Sequence, residues 1–339
     1  MKAVRFESPG GPEVLQYGDA PTPSPSEGEV LVKVAACGVN RIDIWLRSGR
    51  YKTYLPHILG TDVCGEVAAT PARATGLKVG QRVVVYPSLS DGSCRYCLAG
   101  HPNRCVNGGL LGAVADGGYA EYVKVPASNL VDAGSLDPKL AASVPVNFAT
   151  AWSALAERAS VHPGDRVLVW GAAGGVGHAA VQVAKLLGAQ VIGVAGGKEK
   201  KRFVTDNGAD HFIDHTTDDV AARAKEITGG QGVDFVFDDV GGDTWEKSLE
   251  SLAKGGTVLS VALTSGAAST VDVGRLYRNE LNIVGVFAFR KETLVRVLQL
   301  VSEGRLKPRI FRELPLKSAR QAHEILESRK VEGKILLVP

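Results

Sequence analysis

The run Gly171-Ala172-Ala173-Gly174-Gly175-Val176-Gly177 stands between an apolar stretch, Arg166-Val167-Leu168-Val169-Trp170, and a helical period from Val176 to Leu187. Without Cβ atoms the backbone turns tightly and approaches a pyrophosphate, while the following helix offers free N–H groups and a partial positive charge. A glycine turn in this strand-to-helix context predicts a dinucleotide cradle. Ala172 departs from the usual G-x-G-x-x-G, with Gly171 beside it. The next apolar stretch ends in Ala195-Gly196-Gly197-Lys198-Glu199-Lys200-Lys201-Arg202. No carboxylate stands at the tip, where a reader of the NAD 2′-hydroxyl belongs. Small residues followed by cations favour the extra phosphate of NADP, with Glu199 as the one dissenting charge.

A second group has metal-ligand spacing. Cys94-x-x-Cys97 is followed by Cys105, and Asp91 continues the step of three before Cys94. Three thiolates and a carboxylate make a closed tetrahedral set, so Asp91, Cys94, Cys97 and Cys105 predict one structural Zn2+ that fixes an irregular loop. Cys37 and Cys64 lie in apolar segments and read as buried structural thiols. The seven histidines show no paired metal spacing; His57, His162, His178 and His323 read as surface or packing residues.

Two textures of chain must position these groups. Residues 1–130 hold short β-type runs punctuated by Gly and Pro, such as Glu29–Val34, Arg82–Tyr86 and Ala120–Val125. From about residue 147, apolar strands alternate with helical periods: 166–170, 190–194, 233–237 and 257–261, with 281–286 as the last strand. That alternation predicts a doubly wound parallel sheet, hence an α/β fold. Lys291–Gly304 reads as a helix, and Gly333–Val338 as a strand that rejoins the first domain. The expected domains are therefore 1–130 with 291–339, and 131–290.

Charge and composition exclude other classes. A formal net charge of +3 without a basic block argues against nucleic acid and anionic membrane as partners. The chain has no uninterrupted apolar stretch of membrane-spanning length, and Met1–Phe6 reads as a strand rather than a signal peptide. Five locally clustered cysteines are too few for a disulfide scaffold, so a reducing, cytoplasmic setting is expected.

Taken together, these motifs resemble the medium-chain dehydrogenase/reductase superfamily over essentially the whole chain. The resemblance implies a GroES-like catalytic domain joined to a Rossmann domain, and a homodimer or homotetramer formed through the Rossmann sheets. Zinc alcohol dehydrogenases of the family carry a catalytic metal at three places that match Asn40 in Gly38-Val39-Asn40-Arg41-Ile42-Asp43, Thr61 in Gly60-Thr61-Asp62, and Asn147. All three have lost Cys or His together, which argues against a catalytic zinc. What remains is similar to the quinone oxidoreductase branch, whose pocket residues match Asn40, Trp45 and Tyr51. The resemblance implies nucleotide contacts at Thr150, Ala173, Gly174, Gly175, Val176, Gly196, Gly197, Lys200, His215 and Arg329. His215 stands where that branch usually has Tyr, and Asp91 departs from a four-Cys lobe. Asp43, which braces the metal in the zinc enzymes, is expected to be structural here.

The implied activity is hydride transfer from NADPH to a small-molecule acceptor, a quinone or a conjugated enone or alkenal. Asn40 donates to the acceptor carbonyl as charge develops, Tyr51 does the same or relays a proton that water supplies equally well, and Trp45 walls the pocket. Plain roles compete: Asn40 capping a turn, Tyr51 as an exposed loop aromatic, Trp45 as core. Two other functions stay open. One is a zinc-dependent alcohol dehydrogenase with atypical ligands drawn from Cys37, Asp62 and Cys64; the other is an NADPH-binding sensor without turnover.

Overall fold

Alternation in the strand Glu29–Val39 sets the first unit: Val30, Val32 and Val34 are buried while Lys33 is exposed, and from Ala36 onward burial is continuous. The first half of the strand lies between Tyr122–Pro126 and Asp62–Ala69, the second between Asp62–Ala69 and the C-terminal strand Lys334–Val338, all antiparallel. The computed structural model describes residues 1–70 and 76–339. It comprises two compact units, Met1–Val146 with Ala288–Ser302 and Pro308–Pro339, and Asn147–Phe287 with Glu303–Lys307.

In the first unit the main sheet runs Leu130–Asp132, Arg82–Val85, Asp62–Ala69, Glu29–Val39, Lys334–Val338, Ile310–Pro315, with Tyr122–Pro126 also pairing with Glu29–Val39. Lys2–Phe6 lies between Gln16–Asp19 and His57–Ile58 in a smaller sheet. Phe6, Val32, Val63, Tyr119, Ile335 and Leu337 belong to one core. The final strand therefore returns to the first unit, as its sequence predicts. The sequence reading puts the boundaries after residues 130 and 290; the units part after Val146 and Phe287. Residues 131–146 stay with the first unit because Leu130–Asp132 pairs with Arg82–Val85 and Val146 N–H donates to Asp62 Oδ1 at 3.0 Å.

The second unit is a six-stranded parallel sheet in the order His211–Asp214, Gln190–Ala195, Arg166–Val169, Val233–Asp238, Leu252–Ser260, Asn282–Gly285. This is the doubly wound α/β order, with its switch point between the first and fourth strands. The helix Gly175–Leu186 follows the glycine turn and packs on the first two strands. At the carboxyl end of the fourth strand, the buried Asp238 accepts from Val240 and Gly241 N–H at 2.9 Å each, from the Thr244 hydroxyl at 2.8 Å and from Ser248 at 2.7 Å. Four donors spread over both oxygens fix the turn beside the switch point. No described helix is long and apolar enough to cross a membrane.

Candidate functional site

The glycine turn is built by three close approaches. Gly171 has φ +62, and a Cβ there would meet Asp239 Oδ1 at 2.4 Å. A Cβ on Gly177 would lie 2.0 Å from the Gly171 carbonyl, so only glycine lets the helix sit down on the turn. Gly174 is the N-cap and gives no side-chain cap, which leaves the first-turn N–H groups of the helix to an anion. Asn147 lies over the same turn, 3.0 Å from a Cβ placed on Gly175. Ala173 is buried, and Gly174, Gly175 and Val176 are partly exposed at the turn. Thr150 opens the short helix Thr150–Trp152 that packs on Gly175–Leu186. These features fit a dinucleotide.

At the second strand's tip, Asp214 accepts from Gly197 N–H at 2.9 Å and from Thr216 N–H and hydroxyl at 3.0 and 2.7 Å. The Thr216 hydroxyl and the Gly197 N–H hold its carboxyl below the usual range. His215 lies against Gly196, where a Cβ would meet Nε2 at 2.8 Å, and its ring is 6.1 Å from Trp170. Glu199 folds back over Gly197, 2.2 Å from a Cβ placed there. Lys200 sits on the same 3₁₀ turn, Lys198–Lys200. Thus Gly196, Gly197, His215 and Lys200 come together in the second unit, whereas Arg329 belongs to the first unit, exposed at φ +59 after the helix Ala319–Glu327.

Asn40 is buried at the N-cap of the helix Arg41–Arg47. Its Oδ1 accepts from Lys334 Nζ at 2.6 Å, and its Nδ2 donates to Asp62 Oδ2 at 2.9 Å. Lys334 Nζ also meets Asp62 Oδ2 at 2.6 Å, and neither side chain of that ion pair is more than 2% exposed. The neighbouring Thr61 is fully buried and its Oγ1 has no partner. Asn40 is therefore more than a turn cap: its amide is one corner of a buried, net-neutral triangle.

Asp43, three residues on, holds this corner in place. Its carboxylate accepts from Asn40 N–H at 2.7 Å, Gly60 N–H at 3.2 Å and the Tyr119 hydroxyl at 3.1 Å. It thus ties the Asn40 cap to the loop that carries Thr61 and Asp62. Behind it, Tyr119 Oη lies 3.1 Å from His323 Nε2, and His323 Nδ1 lies 3.3 Å from Arg47 Nη1. Arginine only donates, so Nδ1 accepts, and Nε2–H then donates to Tyr119. Arg47, only 2% exposed, ends the chain in a two-bond contact with Glu327 at 3.2 and 2.7 Å. Burial, then the Arg47 charge, holds His323 down at about 3, so it is neutral. Burial pushes Asp43 up to about 7, against the downward pull of the Asn40 N–H, Lys334 and Tyr119. Asp43 is structural, as expected; His323 is a link in a polar chain rather than a packing residue.

Trp45 and Tyr51 also meet, edge to face at 5.8 Å, with the Arg50 guanidinium 5.1 Å over the indole. Tyr51 is 38% exposed and Trp45 partly so, which rules out a core role for the indole. The ligand set Cys37, Asp62 and Cys64 is not brought together. Asp62 pairs with Gly38 and Cys37 with Val63, so Cys37 points to the opposite face of the sheet from Asp62 and Cys64. Burial pushes both thiols up, that of Cys64 to about 12, as inert core cysteines require.

The lobe at residues 91–105 has the geometry of a cation cage. Ligand atoms of Asp91, Cys94, Cys97 and Cys105 lie within 4.8 Å of one another. A tetrahedral zinc with ordinary bond lengths needs S···S edges of about 3.8 Å and S···O edges of about 3.5 Å. Cys94 Sγ lies 3.6 Å from Cys97 Sγ and 3.8 Å from Cys105 Sγ, and Cys97 Sγ lies 3.4 Å from Asp91 Oδ1. Asn107 donates to Asp91 Oδ2 at 2.7 Å and orients the carboxylate. Backbone N–H groups pull the Cys94 thiol down to about 7, while desolvation and the neighbouring Cys94 and Cys105 thiols push Cys97 up to about 12.

The sequence reading missed Lys334, Tyr119 and Arg47. The only sign of Lys334 is a cation leading directly into the apolar run Ile335-Leu336-Leu337-Val338; Arg47 and Tyr119 give none.

Comparison with known proteins agrees with this geometry. Residues 26–135 match the alcohol dehydrogenase GroES-like domain, and residues 175–303 match the zinc-binding dehydrogenase family. Human quinone oxidoreductase is 33% identical over 350 residues, covering 100% of this chain and 98% of that protein. A solved NAD-dependent alcohol dehydrogenase superposes with a TM-score of 0.96 at 39% identity over 100% of both chains. A mycobacterial protein solved with NADPH superposes with a TM-score of 0.86 at 34% identity, again over 100% of both.

Two outcomes follow from the site. Cys97→Ser is expected to release the lobe's metal and lower the apparent Tm by roughly 5–10 °C; an unchanged Tm with no metal in the wild-type chain would contradict the cage. Asp43 binds its proton more tightly folded than unfolded, so its contribution is complete below its ordinary value of 3.8 and is lost as pH rises through about 7. Wild type should therefore lose stability from about pH 4 to about pH 7 in a component that Asp43→Asn lacks, read as a Tm difference between the two that changes with pH; a pH-independent difference counts against it.

Proposed function

The chain belongs to the medium-chain dehydrogenase/reductase superfamily and is quinone oxidoreductase-like, and from that premise we propose that it is an NADPH-dependent reductase of quinones or conjugated enones and alkenals that works without a catalytic zinc. The observation that carries the reading is the donor set at the family's metal positions. Asn40 and Thr61 offer a neutral amide and a hydroxyl, Asn147 a second amide, and the carboxylate that meets the Asn40 side chain, Asp62, already pairs with Lys334 at 2.6 Å. Amides and hydroxyls are poor zinc ligands, and a second cation beside a buried ammonium is repelled.

A bound reduced nicotinamide supplies the hydride, and the protein's task is placement and charge stabilisation. Asn40 Nδ2 and Thr61 Oγ1 are the donors we assign to the acceptor oxygen as it gains charge. Tyr51 or water returns the proton, so that one hydride and one proton complete the two-electron reduction. Trp45, which meets Tyr51 edge to face and carries the Arg50 guanidinium over its ring, gives a pocket wall. In the second unit the turn Ala173–Val176 seats the pyrophosphate, and Thr150 supports it. Gly196, Gly197 and His215 receive the adenosine, and Lys200 pairs with its 2′-phosphate once Glu199 swings off Gly197. We assign Arg329 a phosphate contact on the strength of the resemblance alone. A zinc ion held by Asp91, Cys94, Cys97 and Cys105 is structural in this reading. The exposed edge strand Asn282–Gly285, with Tyr277 and Phe287 exposed beside it, is the surface through which we expect copies of the chain to associate. Five unpaired cysteines suit a reducing, cytoplasmic setting.

The test is oxidation of NADPH and NADH in the presence of a panel of quinones and alkenals, with reduction of NADP+ and NAD+ by primary and secondary alcohols as the control. We expect turnover of NADPH with a quinone or alkenal, a loss of about 10²-fold in kcat for Asn40→Ala, and a roughly tenfold higher KM for NADPH, but not NADH, in Lys200→Ala. Alcohol oxidation as the main activity would establish the dehydrogenase reading instead, and tight binding without turnover on any acceptor the sensor reading.

A further inference from the structure

We propose that Lys334 is a positioning residue for hydride transfer: its buried ammonium locks the Asn40 amide so that one Nδ2–H faces the acceptor oxygen. The inference rests on the reading above, in which Asn40 meets that oxygen. An ammonium has only donors and a carboxylate only acceptors. The atom 2.6 Å from Lys334 Nζ must therefore be Oδ1, and the atom 2.9 Å from Asp62 Oδ2 must be Nδ2. Both partners dictate the same amide orientation. Of the two Nδ2 hydrogens one is used by Asp62, and the other has only the Gly38 carbonyl, at 3.5 Å. That second hydrogen is the one left for a ligand.

The ammonium also does electronic work. The cation on Oδ1 draws charge toward the amide oxygen and so offsets the opposite effect of the Asp62 carboxylate on the same NH2, keeping the remaining N–H a competent donor when the acceptor oxygen becomes an anion. The fold makes room for this arrangement: a Cβ on Gly38 would meet Lys334 Cε at 2.5 Å and the Ala142 carbonyl at 2.9 Å. The lysine stem passes over the glycine as the C-terminal strand pairs with Glu29–Val39. A buried ion pair is weak evidence for stability as such, so a role in orientation explains why the chain keeps one here.

The test uses two readouts on the metal-replete protein. In the cofactor-free state, asparagine-labelled NMR spectra locate the Asn40 side-chain amide by its loss in Asn40→Ala. Its nitrogen resonance should move on Lys334→Met and largely return in Lys334→Arg; an unmoved resonance overturns the proposal. Lys334→Met alone leaves Asp62 buried and unpaired, so kinetics are compared in Asp62→Asn/Lys334→Met, which removes both charges. With a quinone that the wild type reduces, we expect the double variant to regain wild-type Tm within a few degrees while kcat stays at least tenfold down and KM moves less. Adding Asn40→Ala to the double variant should cost far less than in wild type, because the two act as one unit. A double variant with wild-type kcat, or full additivity, overturns the role of Lys334. If Asn40→Ala itself leaves kcat unchanged, the reading on which the proposal rests fails instead.

Discussion

Taking an ammonium and a carboxylate out of water costs several kcal/mol each, and only close pairing with every remaining hydrogen-bonding atom satisfied offsets it. The Lys334–Asp62 contact at 2.6 Å meets that demand by recruiting Asn40 as its third member and Val146 N–H as a further donor. The consequences run outward through the first unit. The C-terminal strand must return beside Glu29–Val39 to bring Lys334 in, residue 38 must be glycine to admit its stem, and residues up to Val146 are drawn onto the same unit. The chemistry we propose for the site then rests on what the pair leaves over: one amide hydrogen whose only partner is the Gly38 carbonyl at 3.5 Å, and one unpartnered hydroxyl on Thr61.

Asp43 connects that centre to the rest of the unit. It clamps the Asn40 cap to the Gly60 loop and hands its remaining capacity to a one-way series of donors, Arg47 to His323 to Tyr119. The helix Arg41–Arg47 supplies both ends of that series, so its position is set by polar contacts rather than by apolar packing alone. The second unit solves a simpler problem. Its six parallel strands place their turns at the carboxyl ends, where Asp214 gathers three donors on one oxygen at the Gly196–Gly197 turn and Asp238 uses both oxygens at the turn after the fourth strand. The family relationship to quinone oxidoreductases and alcohol dehydrogenases is thus carried by the whole architecture, while the residues that divide the two activities are few and local.

Much of this was legible in the sequence because it depends on local rules. Strand and helix periods located the parallel sheet, the glycine turn announced the helix N-terminus, and the step of three through Asp91, Cys94 and Cys97 announced a cluster whose ligand atoms lie within 4.8 Å of one another. The domain limits were less so, since the pairing of Leu130–Asp132 with Arg82–Val85 and the Val146–Asp62 contact are long-range. The polar centre was largely hidden for the same reason. Lys334 and Asn40 are 294 residues apart, and His323 and Arg47 276. No window of sequence reveals that a lysine at the head of an apolar strand is a core residue, or that a histidine taken for packing links a tyrosine to an arginine.

If the buried ammonium of Lys334 stands in place of a catalytic metal, as we propose, the lobe at residues 91–105 is the one candidate zinc site among the described residues. Native mass spectrometry of the wild-type protein equilibrated with excess zinc tests it directly. The account predicts one tightly held ion per chain. A second ion that survives buffer exchange and is lost on substitution of Asp62 would contradict it.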